Sequence, residues 1–316
     1  MGLDPWPDAP ELPAPIIMDQ RWMDAVFLHW RIPEAVSASF MPPGVAPDVF
    51  DGSAWVGLIG FRMQGAGLGR GPGVPYFGSF NEINVRLYSR EPDGTRGVVF
   101  RTLDASRLAV VLAARAAGIP YVWSRASFLG ATSLEPEGRD AVAGSAASAG
   151  TGADGPGGSA RAGGSGGAGG AGRSAGTGRS GGAGRSAGTA GVGAGGFTGT
   201  GRAGGSGGTA GYSVRRFRGG ARSDFAVVPE FDVEAADPLS VHLTARFGLH
   251  SRFRGRTLYI PNAHSAWPLY PARLTLLEDE LVSAAGIQVA GPPESVLFSP
   301  GVRTQFGWPR VLNRTM

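Results

Sequence analysis

The sequence predicts an α+β fold, a β-rich barrel or sandwich with a few short helices. Most ordered segments alternate apolar and polar residues with a period of two, which is typical of strands. The segments that look helical are short and bounded by caps, prolines or glycines. The segments also lack the regular strand–helix alternation of βαβ units, so a doubly wound parallel sheet is disfavoured.

The strands and helices follow from this pattern in chain order. Strands are predicted at 16–32, 54–63, 80–90, 97–103, 121–129, 212–217, 224–228, 256–261, 272–276 and 296–306. Helices are predicted at 33–40, 105–117, 238–247 and 279–285. Asp104 and Asp237 are expected to act as N-caps of the second and third of these helices, and Pro238 suits a first helical position.

A low-complexity segment interrupts this pattern. More than half of the 54 glycines lie between residues 141 and 211, together with short repeats of Gly, Arg, Ser, Ala and Thr. Such a composition cannot bury enough apolar area to offset its chain entropy. We therefore expect a disordered insert at 131–211 and an extended N-terminal tail at 1–15. One discontinuous domain is expected to comprise residues 16–130 and 212–312.

Charge and composition restrict the possible chemistry. The net charge of +4 comes from five arginines and a single aspartate between residues 141 and 211, which leaves the remaining chain formally neutral and argues against a nucleic-acid partner. All 29 basic residues are arginine, and the chain contains no cysteine. Lysine Schiff bases, thiolate catalysis and disulfides are therefore excluded.

Targeting signals and membrane segments are not evident in the sequence. The N-terminus is acidic and proline-rich, and Arg115 interrupts the longest apolar run, 108–119. We expect a soluble, cytoplasmic protein without a membrane partner. Homo-oligomers are possible for a strand-rich barrel, but the sequence does not determine the oligomeric state.

The most informative polar pattern lies on the strand predicted at 80–90. Ile83, Val85 and Leu87 share one face, whereas the polar row, defined as Glu82, Asn84 and Arg86, shares the other. The commoner interpretation of such a pattern is a solvated polar face. The alternative is that the row lines a barrel or cleft, where an arginine binds a substrate acid and a carboxyl group transfers a proton.

The histidines give weaker signals. If the helix that starts at Pro238 continues, His242, Arg246 and His250 share one face, and solvation of that face is more plausible than a metal site. His264 and Trp267 are expected mainly to pack. The sequence therefore predicts neither a metal site nor a cofactor.

Several stretches, in this order and spacing, resemble the YqjF-like family, the domain of unknown function numbered 2071. They are Phe27-Leu-His-Trp30, Pro42-x-Gly44, Phe50-Asp-Gly-x-Ala-Trp55, Phe80-Asn-Glu-x-Asn-Val-Arg86-x-Tyr88, Gly97-Val-x-Phe100-x-x-Leu-Asp104, Pro120-Tyr121, Leu243-Thr-x-Arg246-Phe247 and His264-x-x-Trp267-Pro-Leu269. The resemblance covers both sides of the insert.

The resemblance implies a fold more than an activity. The family is similar to the acetoacetate decarboxylase-like superfamily, a β-rich cone or barrel around an apolar pocket. Enzymes of that superfamily form a Schiff base through a lysine that shortly precedes a Gly-aromatic-Pro element. The comparable stretch here reads Arg115-Ala-Ala-Gly118-Ile-Pro120, so an arginine would stand at the lysine position, and arginine cannot form the imine.

Three functional interpretations remain open. The first is a protein that binds a small organic acid in the barrel pocket, with Arg86, Arg115, Asn84, Tyr121 and His264 as candidate ligand-binding residues. The second is a lyase or isomerase on a small carboxylate, with Glu82 as the candidate catalytic acid or base. The third is a structural or interaction protein without a ligand. An unpaired, buried Glu82 would favour the enzyme, because a carboxylate paired with arginine is a poor base at neutral pH.

Overall fold

The computed structural model describes residues 6–75, 78–108, 118–130 and 208–312. Strands dominate the chain: β1 Met18–Ile32, β2 Ala46–Pro47, β3 Ala54–Leu68, β4 Phe80–Arg90, β5 Arg96–Ala105, β6 Tyr121–Gly130, β7 Ala210–Arg216, β8 Arg222–Pro229, β9 Gly248–Phe253, β10 Arg256–His264, β11 Tyr270–Asp279, β12 Ser295–Phe306 and β13 Arg310–Val311. The short helices are α1 Glu34–Ala38, α2 Pro238–Thr244 and α3 Leu281–Ala284.

Nine of these strands close into a barrel. The order around it is β1, β3, β4, β5, β6, β7, β8, β11 and β12, which pairs back with β1. Neighbours are antiparallel except β5 and β6, which run parallel. The closed barrel with few helices confirms the predicted β-rich fold class.

A second, smaller ring shares one wall with this barrel. The shared wall consists of β12, β1, β3, β4 and β5, and the smaller ring closes through β9 and β10. Because side chains alternate across a strand, each wall strand presents one face to the barrel and the other to the smaller ring. The wall is therefore covered on both faces.

The barrel interior is filled by apolar side chains. Ile83, Val85 and Leu87 of β4 are fully buried there with Tyr212 of β7 and Phe225 of β8. Gly60 of β3 faces the same interior, and a Cβ atom at this position would lie 2.5 Å from the Tyr212 ring. Because the barrel interior is closely packed, it forms a hydrophobic core with little free space. A cavity is therefore expected on the other face of the shared wall.

Of the two predicted helix caps, one is confirmed and the other is wrong. Asp237 caps α2 as expected, since its carboxylate accepts a hydrogen bond from the Ser240 backbone N–H at 3.0 Å and Pro238 begins the helix. Asp104 is not an N-cap, because it lies inside β5. The predicted helix 105–117 falls largely on residues 109–117, which lie outside the described residues.

Asp104 instead forms a buried ion pair next to the parallel junction of the barrel. Arg216 of β7 donates to both of its carboxylate oxygens at 2.8 Å, and the Ser124 hydroxyl donates to Oδ1 at 2.6 Å. β5 and β6 pair through only three residues of each strand. The ion pair therefore connects β5 to β7 across β6, beside this short ladder.

Other expectations concern regions without a described structure. The segment 131–207, which includes most of the predicted insert, lies outside the described residues, as does the start of the N-terminal tail, residues 1–5. Strands from both sides of that segment pair directly, β6 with β7. The single discontinuous domain stays a prediction. No helix in the described ranges has both the length and the apolar character that a bilayer span requires.

We predict that Arg216→Met lowers the free energy of unfolding by about 3 kcal/mol or more, because it leaves the Asp104 carboxylate buried without a counter-charge. The matched control is Arg222→Met, since Arg222 pairs with Glu280 at 3.8 Å and both side chains are more than half exposed. This control should cost less than about 1 kcal/mol. Urea unfolding of the two variants measures the difference, and equal losses would contradict the assignment.

Candidate functional site

The polar row lies on the covered face of β4 that is turned toward the smaller ring. Glu82 is 2% exposed and Asn84 is 1% exposed, so the interpretation of the row as a solvated face is wrong. All three residues border a cavity of about 450 Å³. A volume of this size is in the range of small-molecule sites, about 300–1,000 Å³.

Glu82 is a buried carboxyl group that no described arginine neutralises. The Tyr121 hydroxyl donates to Glu82 Oε2 at 2.6 Å, and the Asn84 amide lies 3.5 Å from Oε1. Burial raises the pKa of Glu82 from 4.5 to about 7, although the hydrogen bonds from Tyr121 and Asn84 oppose this rise. Glu82 can therefore both accept and donate a proton near neutral pH.

Arg86 supplies a cation at the other end of the row. Its Nε donates to the Tyr88 hydroxyl at 3.3 Å and its Nη2 donates to the Leu243 carbonyl at 3.1 Å. The guanidinium also lies 5.8 Å from the centre of the Phe27 ring. Within the described residues Arg86 forms no ion pair, so its charge is available to an anion in the cavity.

Arg246 is a second cationic residue at the cavity, and the sequence analysis did not select it as a ligand-binding residue. It is 4% exposed; Nη1 donates to Asp48 Oδ2 at 2.5 Å and Nε donates to the His242 carbonyl at 2.7 Å. Its Nη2 is buried without a hydrogen-bond partner in the described part of the chain. Burial lowers the pKa of Arg246 to about 10, which still leaves it charged at neutral pH.

The sequence did carry a signal for Arg246, but it was assigned to a helical face. Helix α2 ends at Thr244, Arg246 follows in a connecting segment, and His250 lies on β9. His242, Arg246 and His250 therefore do not share a helical face. Asp48, which holds Arg246, lies about two hundred residues earlier in the chain, and a local pattern cannot reveal such a contact.

His264 and Tyr121 also border the cavity. Nδ1 of His264 is 2.8 Å from the Ser265 carbonyl and Nε2 is 3.2 Å from the Arg246 carbonyl. Burial lowers the pKa of His264, while the contacts with the Ser265 and Arg246 backbones oppose this shift. Arg115 lies outside the described residues, so its predicted role stays a prediction.

Aromatic rings form most of the apolar wall of the cavity. Trp22 stacks on Trp267 with their centroids 5.9 Å apart and contacts Phe61 at 5.4 Å, while Phe27 meets Trp267 edge-on at 5.2 Å. Asn262 adds a buried carbonyl oxygen that has no partner in the described structure. The cavity thus combines an aromatic wall with a few polar groups, as ligand sites commonly do.

Comparisons with known proteins agree with this architecture. A model of the family DUF2071, described as an uncharacterized conserved protein, matches residues 19–160 and 198–303. The uncharacterized protein YqjF of Bacillus subtilis (strain 168) is 30% identical over 109 residues. That alignment spans 34% of this chain and 45% of YqjF, which is less than half of its length.

Solved structures show the same fold at low sequence identity. An acetoacetate decarboxylase-like enzyme from Sphingomonas wittichii RW1 has a TM-score of 0.54 at 10% identity, covering 97% of this chain and 99% of that one. The enduracididine biosynthesis enzyme MppR complexed with pyruvate has a TM-score of 0.52 at 12% identity, with 96% and 93% coverage. Acetoacetate decarboxylase from Legionella pneumophila has a TM-score of 0.51 at 10% identity, with 96% and 92% coverage. The expected acetoacetate decarboxylase-like fold is thereby confirmed.

We predict that the raised pKa of Glu82 makes the folded state lose stability as the pH rises. Between pH 4.5 and 7 the unfolded chain ionises this residue while the folded chain keeps it protonated, so proton release favours unfolding. The stability of the parent relative to Glu82→Gln should fall by about 3 kcal/mol across this window. Urea unfolding at both pH values measures it, and a constant difference between the two proteins would refute the buried, unpaired state of Glu82.

Proposed function

This chain belongs to the DUF2071 family, and we propose that it is an enzyme that moves a proton on a small organic carboxylate, as an isomerase or lyase does. The observation that carries the proposal is the state of Glu82. It borders the cavity, burial raises its pKa to about 7, and no described arginine neutralises it. A group with these properties suits acid–base catalysis at neutral pH.

The cationic residues supply the binding part of the proposal. Arg86 has no ion-pair partner in the described chain, and Arg246 has a buried, unpartnered Nη2. Both border the same cavity as Glu82. Guanidinium groups favour carboxylates, so an organic acid is the ligand class that these residues suit best. One solved structure of the same fold contains pyruvate, which is an organic acid of this class.

The reaction proceeds without an imine, because the chain has no lysine. The ionised Glu82 carboxylate removes a proton from the carbon next to a substrate carbonyl. The electron pair of the broken C–H bond forms the enolate, and its negative charge rests on the carbonyl oxygen. The Asn84 amide, next to Glu82 on the same face, can donate a hydrogen bond to that oxygen. Return of the proton from Glu82 to the same carbon regenerates the substrate, whereas its delivery to the far carbon of a dienolate, formed from an unsaturated keto acid, completes an isomerisation.

We expect the wild-type protein in D₂O to introduce deuterium next to the carbonyl of at least one keto acid in a panel. The loss of the corresponding ¹H NMR signal measures this exchange. Glu82→Gln should reduce this exchange at least 100-fold, because general acid–base catalysis contributes about 10²–10⁴. The control is Glu91→Gln, the same substitution at a buried glutamate that pairs with His250 and Arg310 and does not border the cavity.

Retention of exchange in Glu82→Gln would overturn the catalytic role. Binding of keto acids without any exchange in the wild type would instead support the second candidate, a binding protein. The charge of Arg86, which has no ion-pair partner within the described ranges, also favours that candidate.

We expect the exchange rate to rise with pH and to inflect near pH 7, since Glu82 must lose its proton to act as a base. Tyr121→Phe removes a hydrogen bond that stabilises the ionised carboxylate, so the inflection should move to higher pH by about one unit. A pH–rate profile of both proteins measures the shift. A lower inflection in Tyr121→Phe would show that Tyr121 does not stabilise the charged form.

A further inference from the structure

We propose that the substrate is an elongated acid with a flat, apolar body, whose reacting carbon lies roughly 10 Å from its carboxylate. This inference rests on the proposed function and specifies its substrate class. It follows from where the cavity places its cations, its acid–base group and its aromatic rings.

The two guanidinium groups gather at one end of the cavity, near Tyr88. Arg86 donates to the hydroxyl of Tyr88, which follows Arg86 by two residues on β4 and so lies farther from Glu82 along the strand. Arg246 lies 4.8 Å from the centre of the Tyr88 ring. Asp48 neutralises one positive charge, through Arg246 Nη1 and Arg96 Nε, and no acid pairs with Arg86 in the described chain. A ligand carboxylate is therefore best held at the Tyr88 end.

Glu82 lies at the opposite end of the polar row. It precedes Arg86 by four residues on the same strand, which corresponds to about 13 Å between their backbones at about 3.3 Å per residue. Arg86 extends away from Glu82, toward Tyr88, and the two form no ion pair. A four-carbon acid contains only three carbon–carbon bonds of about 1.5 Å each, so it cannot reach both ends at once.

The surface between the two ends is aromatic. Phe27 lies beside the Arg86 guanidinium, and Trp22, Trp267 and Phe61 continue the wall. Ring faces and edges favour a flat apolar partner over a hydrated chain. The cavity volume of about 450 Å³ also exceeds what a three-carbon acid needs. The substrate body between carboxylate and reacting carbon is therefore best matched by an aryl group.

The test compares three probes by deuterium exchange in D₂O. The first is 3-(4-acetylphenyl)propanoate, which carries a carboxylate at one end, an aryl body and a methyl ketone at the other. The second is pyruvate, which is short, and the third is 4-ethylacetophenone, which lacks the carboxylate. We expect kcat/KM for exchange at the methyl ketone of the first probe to exceed that of either other probe at least tenfold.

The variant Arg86→Met tests whether Arg86 binds the substrate carboxylate. It removes a cation without leaving a carboxylate unpaired among the described residues. It should raise KM for 3-(4-acetylphenyl)propanoate at least tenfold more than KM for 4-ethylacetophenone. Thermal unfolding confirms that the variant folds. Equal losses for the two ketones would overturn the assignment of the carboxylate to the Tyr88 end.

The outcomes separate this inference from the proposed function. Exchange of pyruvate at a rate equal to or above that of the aryl acid would overturn the elongated substrate and leave acid–base catalysis standing. Tight binding of the aryl acid without exchange would support the shape of the ligand and overturn catalysis by Glu82. Failure of the aryl acid to bind at millimolar concentration would overturn the inference.

Discussion

The burial of both faces of β4 is the constraint on which the rest of the structure depends. On one face Ile83, Val85 and Leu87 pack into the nine-strand barrel. On the other face Glu82 and Asn84 are equally buried, although they are polar. The pleat of the strand allows no other arrangement, because moving Glu82 to the apolar side would move Val85 to the polar one. The barrel core therefore fixes the position of the polar row.

The burial of the polar row leaves the Glu82 carboxyl group in a low-dielectric site without a counter-charge among the described residues. A buried carboxylate without an ion-pair partner is costly, and the protein limits the cost through the Tyr121 hydroxyl, the Asn84 amide and a raised pKa. Elsewhere in the described chain buried acids are paired: Asp104 with Arg216 and Asp48 with Arg246. The contrast sets Glu82 apart from carboxylates that serve only to hold strands together.

The separation of charge along the cavity follows from the same geometry. Arg86 is held by Tyr88 and by the Leu243 carbonyl in the last turn of helix α2, so the end of that helix fixes where its guanidinium points. Arg246 joins it from the segment that follows α2, supported by Asp48. Aromatic rings of β1 and β3, among them Phe27 and Phe61, line the cavity that these cations and Glu82 border. Binding and proton transfer are thus assigned to different ends of one cavity.

The sequence was sufficient to predict ten of the thirteen described strands, the capped helix at Asp237, the two faces of β4 and the absence of lysine imine chemistry, because these depend on local periodicity, local hydrogen bonds and composition. It did not predict the strands β2, β9 and β13. It misplaced Asp104 and the supposed helical face of His242, Arg246 and His250, since Arg216 and Asp48, which bind Asp104 and Arg246, lie more than a hundred residues away. Only the tertiary structure decided that the polar row is buried and that Arg246 borders its cavity. Periodicity states which residues share a face of a strand, but what covers that face depends on contacts between distant parts of the chain.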